Sequence, residues 1–158
     1  MASFEVRPGR VEDARGIAEV FAELAEERDS IATEPPVDVE ARTTQFADSI
    51  DGAIVAVAGD EIVGSLHLSP GRFGVAELAM GVARPWRGRG VGSALLAAAV
   101  DRARAAGLHK LSLDVFPHNE AGIALYRKFG FVEEGRRVKH YRRASGELWD
   151  SIVMGLLL

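Results

Sequence analysis

The run Arg87-Gly88-Arg89-Gly90-Val91-Gly92-Ser93 limits what this chain can fold into more than any other stretch. It stands between an apolar segment of strand character, Gly74 to Val82, and an Ala- and Leu-rich segment from Gly90 to Ala106. The latter reads as a helix closed by Gly107. Closely spaced glycines let the backbone approach a ligand and turn its N–H groups toward it. Amides at the start of a helix, added to the positive end of its dipole, make a seat for a diphosphate. Arg84, Arg87 and Arg89 add mobile positive charge. An ATP-type loop is excluded, because GxxxxGK[ST] is absent. As a dinucleotide fingerprint, Gly88-x-Gly90-x-x-Ser93 lacks the third Gly, and Ala83-Arg84-Pro85-Trp86 separate it from the strand. Asp114 does stand near the distance expected of a ribose-binding acid. A plain strand-to-helix turn stays open at this point; physics alone says that the loop binds a diphosphate.

The flanking pattern supplies the frame. Phe4 to Arg7 is a short strand ended by Pro8-Gly9. Apolar residues then recur at helical spacing from Val11 to about Arg28, behind an acidic first turn (Glu12, Asp13). Glu34-Pro35-Pro36 makes a loop, and Asp38 is the expected N-cap of a second helix reaching about Ser49. Ala53–Ala58 and Glu61–Leu68 form a hairpin turning at Gly59-Asp60. Lys110 to Phe116 is a strand, Asn119 to Phe129 a helix stopped by Gly130, and Phe131–Tyr141 and Leu148–Leu156 two further strands. The order β-α-α-β-β-β-α-β-α-β-β, with no linker or repeat, predicts one domain over residues 1–158. Its class is α/β (α+β), a mixed, mostly antiparallel sheet.

Composition excludes several functions. The chain has 158 residues, 47% of them hydrophobic, enough to bury a core. A net charge of −4 argues against nonspecific nucleic-acid binding. With Cys 0, disulfides, thiolate metal sites and a cysteine nucleophile are ruled out, and the His residues have no metal-ligand spacing, so no metal is expected. No run approaches the ~18 apolar residues of a membrane span, and the start lacks a signal peptide's apolar run. A cytoplasmic protein is the expectation. The apolar ending Val153–Leu158 reads as a strand, either a buried central one or an edge that pairs in a homodimer.

Arg87-x-x-Gly90-x-Gly92, within the run from Val82 to Gly92, matches the [Q/R]-x-x-G-x-[G/A] hallmark of the GNAT superfamily of acetyltransferases. Asn119 to Phe131 resembles a second motif of that family, N-x-x-A-x-x-L-Y-x-K-x-G-F. The resemblance spans nearly the whole chain and is weakest up to Ser49. It implies about seven strands flanked by four helices, and acetyl transfer from acetyl-CoA to a primary amine by direct attack. Strands four and five would splay at a bulge near Met80-Gly81, and the pantetheine arm would hydrogen-bond to Met80 and Val82 beside Gly81. The pyrophosphate would rest on the loop of Arg87, Gly88, Arg89, Gly90, Val91, Gly92 and Ser93, with Asn119 touching the arm or simply capping its helix.

In the same reading the Met80 amide polarises the thioester carbonyl and Tyr126 is the acid that protonates the leaving thiolate. Glu77 is the candidate base, against a plain solvated strand residue. Glu34 is a candidate for binding the cationic amine, against a polar loop residue. His67 and His118 are expected to be structural, and Trp86 to pack under the loop. The segment Arg28–Ile50 and the ending Leu148–Met154 look most like the branch acting on free amino acids and related small amines. A protein or peptide N-terminus is the alternative acceptor, and a silent acyl-CoA sensor the alternative function, which Tyr126 disfavours.

Overall fold

The computed structural model describes residues 3–158. Strand β1 (Glu5–Pro8) is followed by a 3-10 turn at Val11–Asp13 and helix α1 (Ala14–Glu27). The acidic turn does more than meet a helix dipole. Asp13 accepts the Arg10 amide at 2.7 Å and both Arg7 guanidinium nitrogens at 2.7 and 3.0 Å, tying α1 to β1. Helix α2 (Val39–Asp48) starts at Asp38, whose carboxylate accepts the Ala41 amide at 3.0 Å, the expected cap. Strands β2 (Ala53–Ala58), β3 (Glu61–Pro70) and β4 (Val75–Val82) meander antiparallel. Helix α3 (Val91–Ala105), strand β5 (Lys110–Val115), helix α4 (Glu120–Lys128) and the hairpin β6 (Val132–Arg142) to β7 (Leu148–Leu157) complete the chain.

The seven strands form one sheet in the order β1-β2-β3-β4-β5-β7-β6, antiparallel except at β4–β5. Strand alternation sorts the core into two layers. Ile17, Val20 and Leu24 of α1 pack on Val55, Val57 and Ile62 on one face. Leu95, Leu96 and Ala99 of α3 and Ile123 of α4 pack on Ile54, Leu66, Leu111 and Met154 on the other. The apolar ending is the interior strand β7, between β5 and β6, which accounts for its hydrophobicity by burial; β6 is the edge. No helix among the described residues is long and apolar enough to cross a membrane.

The parallel pair β4–β5 is the feature that makes a site. It is joined only from Val75 to Glu77 against Lys110 to Ser112. Beyond that, β4 stays paired with β3 as far as Val82, and β5 stays with β7 as far as Val115. Each strand follows its other neighbour, and sheet twist carries them apart. The bulge expected near Met80-Gly81 is not formed: β3–β4 register is unbroken there, and the nearest irregularity lies between Ala56 and Val57.

Candidate active site

At the mouth of the gap, Gly88 and Gly90 have φ of 72° and 85°, a conformation costly for any residue with a Cβ. Among the described residues, no atom beyond the adjoining residues lies within 4 Å of where either Cβ would be, so the two glycines leave an open cradle. Gly90 caps α3, and the first well-formed bond of the helix runs from Ala94 N–H to the Gly90 carbonyl at 3.0 Å. The amides from Val91 to Ser93 are therefore unspent donors at a helix N-terminus. Gly92 serves a different end. A Cβ there would press on Leu125 at 3.1 Å and Met80 at 3.3 Å, so glycine lets α3 sit close against α4 and β4.

Register fixes which backbone groups face the gap. The Ala83 amide donates to the Val63 carbonyl and the Gly71 amide to that of Val75, so the odd-numbered residues of β4 bond to β3. Leu78, Met80 and Val82 consequently turn their N–H and C=O groups toward the parted side. The Val82 carbonyl accepts from Arg87 Nε at 3.1 Å. The Met80 amide is directed into the cleft, as the reading of a polarising donor requires.

Two cavities meet across this gap. The first, of about 660 Å³, is lined by Met80, Gly81, Val82, Arg87, Gly88, Gly90, Val91, Gly92, Ser93, Asn119 and Tyr126, thus by most of the residues expected to hold the carrier. Arg89 is the exception: its guanidinium lies 4.8 Å over the Trp86 ring. The second, of about 400 Å³, is lined by Glu77, Asp114, Arg42, Arg137 and Tyr141 among others. Ser30, Ile31, Met80, Asn119 and Tyr126 belong to both. Tyr126 is held against Phe131, rings 5.7 Å apart, and burial pushes its phenol up to about 12, so it keeps its proton at neutral pH. Asn119 accepts the Gly122 amide at 3.0 Å and so is a helix cap whatever else it contacts. The Ser30 hydroxyl oxygen is buried with no hydrogen-bond partner among the described residues, an orphan at the junction.

Several side chains are placed differently from expectation. Arg84 and Arg87 are not mobile charges: Glu27, at the end of α1, takes Arg87 at 2.6 and 2.7 Å and Arg84 at 3.1 Å. These partners hold the Glu27 carboxyl below its ordinary range. Glu34 lines neither cavity. Its carboxylate accepts the Ala144 amide at 2.6 Å and lies 3.8 Å from Arg143. Arg143 itself, 4% exposed, donates to the carbonyls of Ala32 at 2.9 Å and Arg28 at 3.2 Å, with its guanidinium 4.2 Å over Trp149. It is the pillar under the 28–36 loop that roofs both cavities, and no motif marks it. His67 and His118 bond the carbonyls of Ser49 and Asp29 at 2.8 and 2.6 Å, and His118 also lines the first cavity. Among the described residues no acidic or His cluster could hold a metal ion.

A strand gap, a helix-start amide cradle and two cavities joined at a tyrosine are the geometry of an enzyme that passes a group from a diphosphate carrier to an acceptor. The sequence matches the acetyltransferase (GNAT) family over residues 17–131. It is 32% identical over 143 residues to an L-methionine sulfoximine/L-methionine sulfone acetyltransferase of Pseudomonas paraeruginosa, covering 85% of this chain and 83% of the relative. It is 33% identical to a phosphinothricin N-acetyltransferase of Streptomyces coelicolor, covering 94% and 93%. The fold is that of a GNAT phosphinothricin acetyltransferase from Sinorhizobium meliloti solved with acetyl-CoA, with TM-score 0.86 and 22% identity over 98% of this chain and 88% of that one. The chain belongs to the GNAT family of acetyltransferases, and its chemistry is N-acetyl transfer.

Proposed function

We propose that this protein takes the acetyl group of acetyl-CoA and places it on the primary amine of a small molecule of the amino-acid kind. The observation that carries the reading is the meeting of the two cavities at Met80, Asn119 and Tyr126. One leads back to the Gly88–Ser93 amides, and the other opens onto charged side chains. The residues fit the carrier on two counts: the open cradle over Gly88 and Gly90, and the unpartnered Ser30 hydroxyl. The amides of Gly88 to Ser93 would hold the pyrophosphate, and the gap-facing backbone of Met80 and Val82, with Gly81 between them, the pantetheine arm.

Bound acetyl-CoA supplies an acetyl group activated as a thioester. The chain's own groups have three tasks. The Met80 amide donates toward the oxygen on which negative charge grows. Glu77, on the acceptor side, takes a proton from the amine, directly or through water. Tyr126 gives a proton to the departing sulfur, and burial keeps that proton in place until it is needed. The relatives named for L-methionine derivatives support an amino-acid acceptor over a peptide terminus. A cytoplasmic location is part of this reading.

Thermal denaturation with added ligand is the first test, since a ligand that binds the native state raises the melting temperature. Acetyl-CoA and CoA should raise it and NAD should not. Free thiol should then appear from acetyl-CoA only when an amine is supplied. A shift with NAD alone overturns the carrier; a shift with acetyl-CoA but no amine-dependent thiol release leaves a sensor in place of an enzyme.

A further inference from the structure

We infer that Arg42 reads a carboxylate on the acceptor and so decides which amines are acetylated; this rests on the acceptor cavity being the one described above. Four arginines line the two cavities, and three are neutralised by acids of the chain. Arg84 and Arg87 are paired with Glu27, and Arg137 lies 3.3 Å from Asp114. Arg42, on α2, has no acid within ion-pair distance among the described residues. Its guanidinium lies 4.5 Å over the Phe21 ring, and its one polar contact is Thr33 Oγ1 at a long 3.5 Å.

A half-buried guanidinium facing a cavity with its donors unspent is costly unless an anion arrives. Holding it over an aromatic ring fixes the long side chain in advance, so less freedom is lost when a planar carboxylate docks on it. Glu77 lines the same cavity and likewise has no basic partner among the described residues, whereas Asp114 is already matched by Arg137. The cavity therefore offers one unmatched cation and one unmatched anion. An α-amino acid answers both: its amine goes to the Glu77 side and its carboxylate to Arg42. A peptide terminus or an amino ester leaves Arg42 unpaired, because an amide or ester stands where the charge should be.

The test compares L-methionine sulfone with its methyl ester as acceptors for wild type, Arg42→Gln and Arg42→Lys. Acid and ester share the amine and side chain, and the ratio between variants removes their difference in amine basicity. In Arg42→Gln, kcat/KM should fall about 10- to 100-fold more for the acid than for the ester, as expected for a lost charge-assisted contact, and the loss should appear in KM. Arg42→Lys should recover part of the preference, having the charge without the fork. The acetyl-CoA melting shift serves as the check of folding for each variant, and Arg42→Lys alone carries the comparison where Arg42→Gln does not fold. Equal losses for acid and ester would overturn the inference and reduce Arg42 to a packing residue. Turnover only of amines that carry no carboxylate, and of neither sulfone compound, would overturn it too, while leaving N-acetyl transfer standing. An absence of thiol release with every amine, despite a melting shift with acetyl-CoA, would instead sink the catalytic reading beneath it.

Discussion

In the proposed role of acid, Tyr126 would have to be close enough to two ligands to hand one of them a proton, yet keep that proton in their absence. Its place on α4 meets both conditions: the side chain lines both cavities, and burial raises the phenol to about 12 from an ordinary value of 10. A raised phenol is protonated throughout neutral and mildly alkaline solution, so turnover should show no loss of its acid between about pH 7 and pH 10. Any fall over that window would point to another group. Tyr126→Phe removes only the hydroxyl. The melting shift with acetyl-CoA should persist, while kcat falls by about 10²- to 10⁴-fold, the usual worth of a positioned acid. Full turnover at neutral pH in that variant would take Tyr126 out of the mechanism. Residues of this kind were legible in the sequence because the chemistry and its supports are local: Tyr126, Asn119 and the glycines lie within short motifs. Glu27 and Arg143 were not, because their partners stand 60 and more than 100 residues away, across α1–β4 and across the 28–36 loop and the β6–β7 hairpin.

Among the elements, the 28–36 loop depends most on distant support. It leaves α1 through Arg28 in the left-handed region (φ 60°), crosses over both cavities and reaches α2, with Arg143 and Glu34 as its fastenings to the β6–β7 hairpin. Arg143→Met keeps an unbranched apolar stem but frees the carbonyls of Arg28 and Ala32 and removes one of the two cations beside Glu34, leaving that of Arg28. We expect a loss of about 2–4 kcal/mol in urea denaturation, since buried charged donors are costly to remove. Because Ala32 and Thr33 line only the acceptor cavity, the acceptor KM should rise more than that for acetyl-CoA. An equal rise in both would mean that the loop does not distinguish the two cavities. The sequence carried the order of strands and helices well, because alternation and helical spacing are local signals. The splay of β4 and β5, which the family resemblance implied, is present, but the bulge expected to produce it is not. A bulge is a local device, whereas here the strands part through their allegiance to β3 and β7, which no single stretch of chain encodes.

Taken whole, the molecule is one sheet whose middle is parted and whose integrity must come from elsewhere, with β1 as one outer strand and β6 as the other. At the β1 edge the fastening is ionic: Asp13, 9% exposed, accepts from Arg7 twice and from the Arg10 amide, and these donors hold its carboxyl below the ordinary range. A carboxylate depressed on folding adds stability that is complete above its unfolded pKa and disappears as pH falls through its folded value. Asp13→Asn should thus cost about 1–2 kcal/mol at pH 7, by the worth of a charge-assisted pair near the surface. The gap between wild type and variant should narrow steadily below about pH 4, the unfolded value. Urea denaturation of both proteins at pH 7 and pH 3 measures that gap. Since β1 lies three strands from β4, the acetyl-CoA affinity of the variant should match wild type. A gap that stayed constant with pH would mean that Asp13 acts by shape alone. A lost affinity for acetyl-CoA would mean that strain at the β1 edge travels through β2 and β3 to the cleft, and that the parted strands are held open by the whole sheet rather than by their immediate neighbours.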